Sequence, residues 1–78
     1  MRLPELDPEI EWVAMDENGR WNGYGAFDSI PYEYKGRWYA ENAKKFSLAY
    51  LNIPKYANHK QSLHKFNFEE NKWERVYG

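Results

Sequence analysis

Tyr32, Tyr34, Lys35, Arg37, Trp38 and Tyr39 interleave aromatic faces with positive charge inside the single stretch 32–39. Single-stranded nucleic acid is bound by this combination, through base stacking worth about 1–3 kcal/mol per base and neutralisation of phosphates. Tyr, Trp and Arg are also the residue types that dominate protein–protein hot spots. If 32–39 runs as one strand, side chains alternate between its faces. Tyr32, Tyr34 and Trp38 then share one face and Lys35, Arg37 and Tyr39 the other, which splits the constellation and favours an aromatic face in the core with solvated cations.

Other residue types that could do chemistry are poorly placed for it. His59 and His64 stand five apart with no third ligand nearby in sequence, so they are expected to be exposed or packed rather than metal-bound. Asp16-Glu17-Asn18-Gly19 resembles the start of a calcium loop, but it is too short for six oxygens and lacks the distal Glu. Apart from Tyr, the hydroxyl nucleophiles are Ser29, Ser47 and Ser62, and none lies in a nucleophile elbow. The absence of Cys excludes disulfides, thiolate metal sites and a Cys nucleophile. The dispersed glycines precede no Lys-Ser or Lys-Thr pair, so no phosphate loop is present. The expectation is a protein that is not an enzyme and has no cofactor and no metal.

The elements that position these residues begin with Asn18-Gly19, the strongest short hairpin signal, where a two-residue turn tolerates φ > 0. It predicts strands over 11–16 and 20–28, the second weakened by Gly23 and Gly25. Asp7 followed by Pro8 predicts one short turn of helix leading into the sheet. After a turn at 28–31, the segment 32–39 reads as strand, with Lys35-Gly36 able to turn or bulge it. The stretch 43–53 matches both a helical face and strand alternation; its shortness and the Asn52-Ile53-Pro54 stop favour strand. Asn58 with Gln61 three residues later resembles a capping box, so 58–65 predicts a short helix packing Leu63 onto the sheet. Alternating aromatics around a polar turn in 66–77 predict a second hairpin. The fold class is α+β but mainly β: a small antiparallel sheet built from hairpins with one short helix, in a single domain spanning 1–78.

Seventy-eight residues allow only a modest core. Leu, Ile and Val total ten whereas aromatics total fifteen, so the core must be built largely of rings that bury about 150–250 Å² each. The net charge of −1 conceals eight acids against two bases through Glu33, then seven bases against one acid over 34–65. Either the two halves lie against each other, or the basic block faces an acidic partner. The N-terminus lacks the apolar stretch of a signal peptide, and no run reaches the ~18 apolar residues of a membrane span. A cytoplasmic protein without membrane contact is expected.

The stretch Glu11-Trp-Val-Ala-Met-Asp-Glu-Asn-Gly-Arg-Trp21, with Pro31, Trp38 and Lys60-Gln-Ser-Leu63 following, resembles a set of small phage-encoded accessory proteins. Their pattern is a Trp-Val-Ala-x-Asp-x-Asp-Gly strand and turn, an aromatic second strand, a Pro and a later Lys-x-Ser-Leu element. This chain departs from it at His59, where the pattern has an aromatic, and in the aromatic tail after Phe66. The resemblance implies a phage or prophage source and the cytoplasm of an infected bacterium, and supplies no activity. The expected function is non-enzymatic binding of a host or phage protein, with a homodimer as one way to cover excess aromatic surface. The alternative is a single-stranded nucleic-acid binder using Tyr32, Tyr34, Lys35, Arg37, Trp38 and Tyr39 together with the basic 34–65 region.

Overall fold

Trp12–Met15 (β1) and Trp21–Gly25 (β2) pair antiparallel around the Asn18-Gly19 signal, with Trp12 opposite Tyr24 and Met15 opposite Trp21. A computed structural model describes residues 6–25, 30–49 and 51–76 of the chain. The turn has three residues rather than the expected two. Gly19 N–H donates to Asp16 O and Asp16 N–H to Arg20 O, both at 2.9 Å, and within this loop Gly19 alone has positive φ, at +86°. This is a type I turn closed by a glycine bulge, the usual three-residue solution. Asn18 contributes through its side chain, whose Oδ1 accepts Arg20 N–H at 2.9 Å.

The remaining strands are Tyr32–Tyr34 (β3), Arg37–Tyr39 (β4), Lys44–Ser47 (β5), His64–Asn67 (β6) and Lys72–Arg75 (β7). A five-stranded sheet has the order β5-β2-β1-β6-β7, and β3-β4 forms a separate two-stranded ribbon. All the pairings are antiparallel. The mainly β reading and the second hairpin, β6–β7, agree with the sequence expectation. Of the expected strand over 43–53, 44–47 is strand and Tyr50 lies outside the described residues, as do 26–29 and Tyr77.

In place of the expected helix at 58–65 there is one 3₁₀ turn, His59–Gln61, capped by the Asn58 side chain on Lys60 N–H. His64 and Lys65 already belong to β6, because pairing with β1 and β7 supplies backbone bonds that a three-residue helix cannot. Leu63 is nevertheless buried against the sheet, as the sequence implies. At the other end, Asp7–Ile10 is a single turn closed by Ile10 N–H to Asp7 O at 2.9 Å, with Asp7 Oδ1 accepting Glu9 N–H. The Asp-Pro pair therefore starts a turn that goes no further.

Every residue of β1 and β2 is buried, since both sheet faces are covered. Val13, Met15 and Trp21 meet Ile10, Leu48 and Ile53 on one face. Trp12, Ala14 and Tyr24 meet Trp38 and Leu63 on the other. Gly23 permits the first layer: a Cβ there would stand 2.8 Å from Ile10 Cγ2. Among the described residues no helix is long and apolar enough to cross a membrane.

Candidate functional site

Lys35 and Gly36 decide the geometry of the aromatic, basic stretch. Both have positive φ, +50° and +85°, and they join Tyr34 to Arg37 as the two central residues of a tight hairpin turn. Such a turn matches the natural twist of paired strands, and Gly at its second position carries no Cβ penalty. A Cβ at Gly36 would also meet the exposed Glu17 carboxylate, which would have to swing aside. Glu17 N–H donates to Gly36 O at 2.7 Å, locking the tips of the two hairpins together.

Reversal of the chain at Lys35-Gly36 corrects the expectation for a single strand. Tyr32 pairs with Tyr39, Glu33 with Trp38 and Tyr34 with Arg37. Paired residues of an antiparallel ribbon share a face. Tyr32, Tyr34, Arg37 and Tyr39 therefore point outward together, while Glu33 and Trp38 point inward. The expected division, Tyr32, Tyr34 and Trp38 against Lys35, Arg37 and Tyr39, does not occur. The tyrosines are 48, 55 and 41 % exposed for Tyr32, Tyr34 and Tyr39, whereas Trp38 is 5 % exposed. Tyr32 and Tyr39 stack with centroids 5.8 Å apart, Tyr34 sits 6.5 Å from Tyr39, and Lys35 Nζ lies 5.3 Å from the centre of the Tyr34 ring.

The inward face anchors this platform. Trp38 N–H donates to Asp16 Oδ1 at 2.9 Å, and its indole Nε1–H donates to His59 O at 3.1 Å. Tyr24 O–H donates to Trp38 O at 3.1 Å. Asp16 is itself buried, and its other oxygen accepts Asn22 Nδ2–H at 3.3 Å. Burial pushes the Tyr24 phenol well above its ordinary pKa, with the Asp16 charge adding to the effect. Glu33 accepts a 2.7 Å hydrogen bond from His59 Nε2 and a second from Gly36 N–H at 3.2 Å. The His59 bond, aided by Gly36 and the charge of Lys60, holds the Glu33 carboxyl below its usual range despite some opposing burial.

Glu33, His59 and Ser62 are the residue types of a nucleophilic triad, but their connection is different. Ser62 Oγ is fully buried; it accepts Met15 N–H at 2.7 Å and lies within donating reach of Met15 O (3.1 Å) and His59 O (2.6 Å). The hydroxyl thus meets the backbone of His59, while the imidazole turns to Glu33. In place of a poised nucleophile there is a structural clip between β1 and the 3₁₀ turn. Among the described residues, no three His, Asp or Glu side chains converge to hold a metal ion.

His64 is packed on the opposite face of the sheet. Its Nδ1–H donates to Ser62 O at 2.8 Å, and Nε2 accepts Tyr56 O–H at 3.0 Å. The ring stacks on Tyr56 and meets Trp21, whose own buried Nε1–H has no partner among the described residues. Burial lowers the His64 pKa below its ordinary value; the bond to Ser62 O opposes this and the Arg75 charge adds to it. A depressed histidine pKa means the unfolded chain binds the extra proton first. The His64 contribution to stability is therefore complete above the unfolded value, about 6.5, and declines as pH falls toward the lowered folded value. Urea midpoints should decrease from pH 7.5 to pH 5 by more in the wild type than in His64→Phe; equal decreases would assign the acid sensitivity elsewhere.

The structure thus brings together Tyr32, Tyr34, Lys35, Arg37 and Tyr39 at the surface and removes Trp38 to the core. Asp16, Glu33 and His59 support the platform, and sequence reasoning assigned none of them that role. Asp16 was legible only as a turn residue, and Glu33 and His59 lie 26 positions apart with no shared pattern. The acidic and basic parts of the chain lie against each other along the β2–β5, β1–β6 and β3–β4 pairings, and the exposed Glu9–Lys44 pair at 3.2 Å joins opposite charges across them. Compared with protein families, characterised proteins and solved structures, the chain has no match.

Proposed function

We propose that the protein is a non-enzymatic binding module that docks a protein partner on the face formed by Tyr32, Tyr34, Arg37 and Tyr39. The observation that carries this reading is the exposure of three tyrosines, Tyr32 and Tyr34 each against Tyr39, beside an arginine on one side of a small ribbon. Tyrosine presents large area with little rotamer entropy to lose, and tyrosine and arginine are over-represented where interfaces hold most of their energy. The platform is held from beneath by the Trp38, Asp16 and His59 bonds, so it is ordered before a partner arrives. The resemblance to small phage accessory proteins supports a host or phage protein as the partner and the cytoplasm as the compartment.

Tyr34→Ala with Tyr39→Ala removes exposed rings and should leave the fold intact while weakening partner binding by at least about 2 kcal/mol, roughly 30-fold. The check is affinity capture from bacterial lysate with wild type and variant side by side. A stoichiometric partner retained by wild type and lost by the variant supports the reading. Equal capture by both, or no stoichiometric partner at all, would overturn it.

Arg37 on the tyrosine face and Lys35 over Tyr34 favour one second reading, a single-stranded nucleic-acid binder. It requires an affinity for labelled oligothymidylate that falls steeply with salt and weakens further in Arg37→Ala. Absence of binding at low salt rejects it.

A further inference from the structure

We propose that a second copy of this chain pairs with β7 about a two-fold axis through Trp73, joining two five-stranded sheets edge to edge. β7 ends the sheet, and among the described residues its strand partner is β6 alone. Val76 N–H donates to Leu63 O at 2.8 Å, and bonding in an antiparallel ladder alternates residue by residue. Residues 72, 74 and 76 therefore turn their backbone groups toward β6, while Trp73 and Arg75 turn theirs outward. Phe66 N–H, donating to Glu11 O at 2.9 Å on the far side of β6, fixes the same phase.

Two copies of one edge pair antiparallel only when outward residues oppose outward residues. The axis must then pass through a residue of β7, because an axis between residues would oppose outward to inward groups. Axes through Lys72, Glu74 or Arg75 each set a charge against its own copy. An axis through Trp73 sets Trp73 against Trp73 and places Lys72 opposite Glu74 of the second copy, twice by symmetry. Those two pairs fall at non-hydrogen-bonded positions, where facing side chains are closest and opposite charges stabilise.

The aromatic surface near this edge agrees with that register. Trp73 packs on Phe66 with centroids 5.2 Å apart, and Phe66 on the largely exposed Phe68 at 5.0 Å. The joined edge brings the two Trp73 rings together on this face of the sheet. Lys72 must exchange its 2.7 Å pairing with Glu70, and Glu74 its bond from Asn67; both are exposed contacts of small worth. The opposite edge, β5, carries Lys44 and Lys45 with no acid, so it offers no such match to itself. None of the tyrosine face takes part.

Sedimentation of the full chain tests this over a concentration series. Wild type should show a reversible monomer–dimer equilibrium. Glu74→Lys alone opposes lysine to lysine and Lys72→Glu alone opposes glutamate to glutamate, so each should weaken the dimer about tenfold or more. Mixed in equal amounts, the two variants restore both opposite-charge pairs and should form a one-to-one heterodimer. Both positions are exposed, and melting temperatures equal to wild type at concentrations where the chain is monomeric confirm that the variants are folded. A wild type that stays monomeric at millimolar concentration, a Glu74→Lys dimer as tight as wild type, or open-ended filaments would each overturn the proposal.

Discussion

Trp38→Ala is expected to cost about 3–5 kcal/mol, the range for truncating a buried tryptophan or phenylalanine. A domain of this length has a total stability of roughly 4–12 kcal/mol, so the substitution would remove a large fraction of it. The reason lies in how many neighbours this residue joins. Its ring packs in the cluster of Trp12, Ala14, Tyr24 and Leu63, and its indole bonds His59 O. Its backbone N–H and C=O take Asp16 and the Tyr24 hydroxyl. Trp38→Phe keeps most of the packing and the backbone bonds and should lose about 1 kcal/mol for the indole hydrogen bond, beyond a smaller packing loss. Urea unfolding of both variants measures the difference. If Trp38→Ala retained the wild-type midpoint, the β3–β4 ribbon would not belong to the cooperative core, and the tyrosine platform would lack its anchor. Binding assays on the platform must therefore use tyrosine variants, because loss of binding by Trp38→Ala would report unfolding.

Ser62→Ala should cost about 1–3 kcal/mol, a large effect for the loss of one oxygen. Paired residues between β1 and β6 are only Trp12 with Lys65 and Val13 with His64. Beyond them the Ser62 hydroxyl takes the place of a strand neighbour, accepting Met15 N–H while lying within reach of Met15 O. Alanine would leave that buried N–H without its partner. Amide exchange at Met15 should accelerate along with the drop in urea midpoint. An unchanged Met15 amide would show that the bond contributes nothing, and that the 3₁₀ turn is held by its other contacts, the Trp38 indole, the Glu33 carboxylate and Leu63.

Several elements were legible in the chain because local chemistry decides them. Asn18-Gly19 placed the first hairpin, and the flanking Trp12 and Trp21 became packing groups as expected. The loop length was not legible, since a glycine at positive φ serves both a two-residue turn and a three-residue turn with a bulge. The second hairpin followed from aromatic alternation across a polar tetrapeptide. Strand character over 44–47 followed from the shortness of the run and its Asn52-Ile53-Pro54 stop, but Leu48 and Ile53 belong to the layer covering the sheet.

The helix expected at 58–65 illustrates a local signal overruled. Asn58 does cap a turn, yet its oxygen bonds Lys60 N–H, and Ser62 commits its hydroxyl to β1. After one turn the chain gains more from strand pairing with β1 and β7 than from extending a short helix. Alternation in the candidate site was counted correctly for a continuous strand and failed because the strand reverses. The two-residue turn puts Tyr32 and Tyr34 on the face of Arg37 and Tyr39, so Trp38 is buried and Tyr39 exposed as expected, while Tyr32 and Tyr34 face outward instead of into the core.

The core expected to be largely of rings is mixed, with Trp12, Trp21, Tyr24 and Trp38 beside Ile10, Val13, Leu48, Ile53 and Leu63. By itself, the sequence determined a mainly β domain built from hairpins, with Trp12 and Trp21 as packing groups. These depend on composition, turn residues and period, which act over a few neighbours. Only the tertiary structure decided which tyrosines face solvent, which tryptophan supports them, and that Glu33, His59, Asp16 and Ser62 form the scaffold beneath. Those contacts join residues from 22 to 47 positions apart. Their partners are chosen by the closing of the sheet and the docking of the ribbon on it, and no local pattern records that choice.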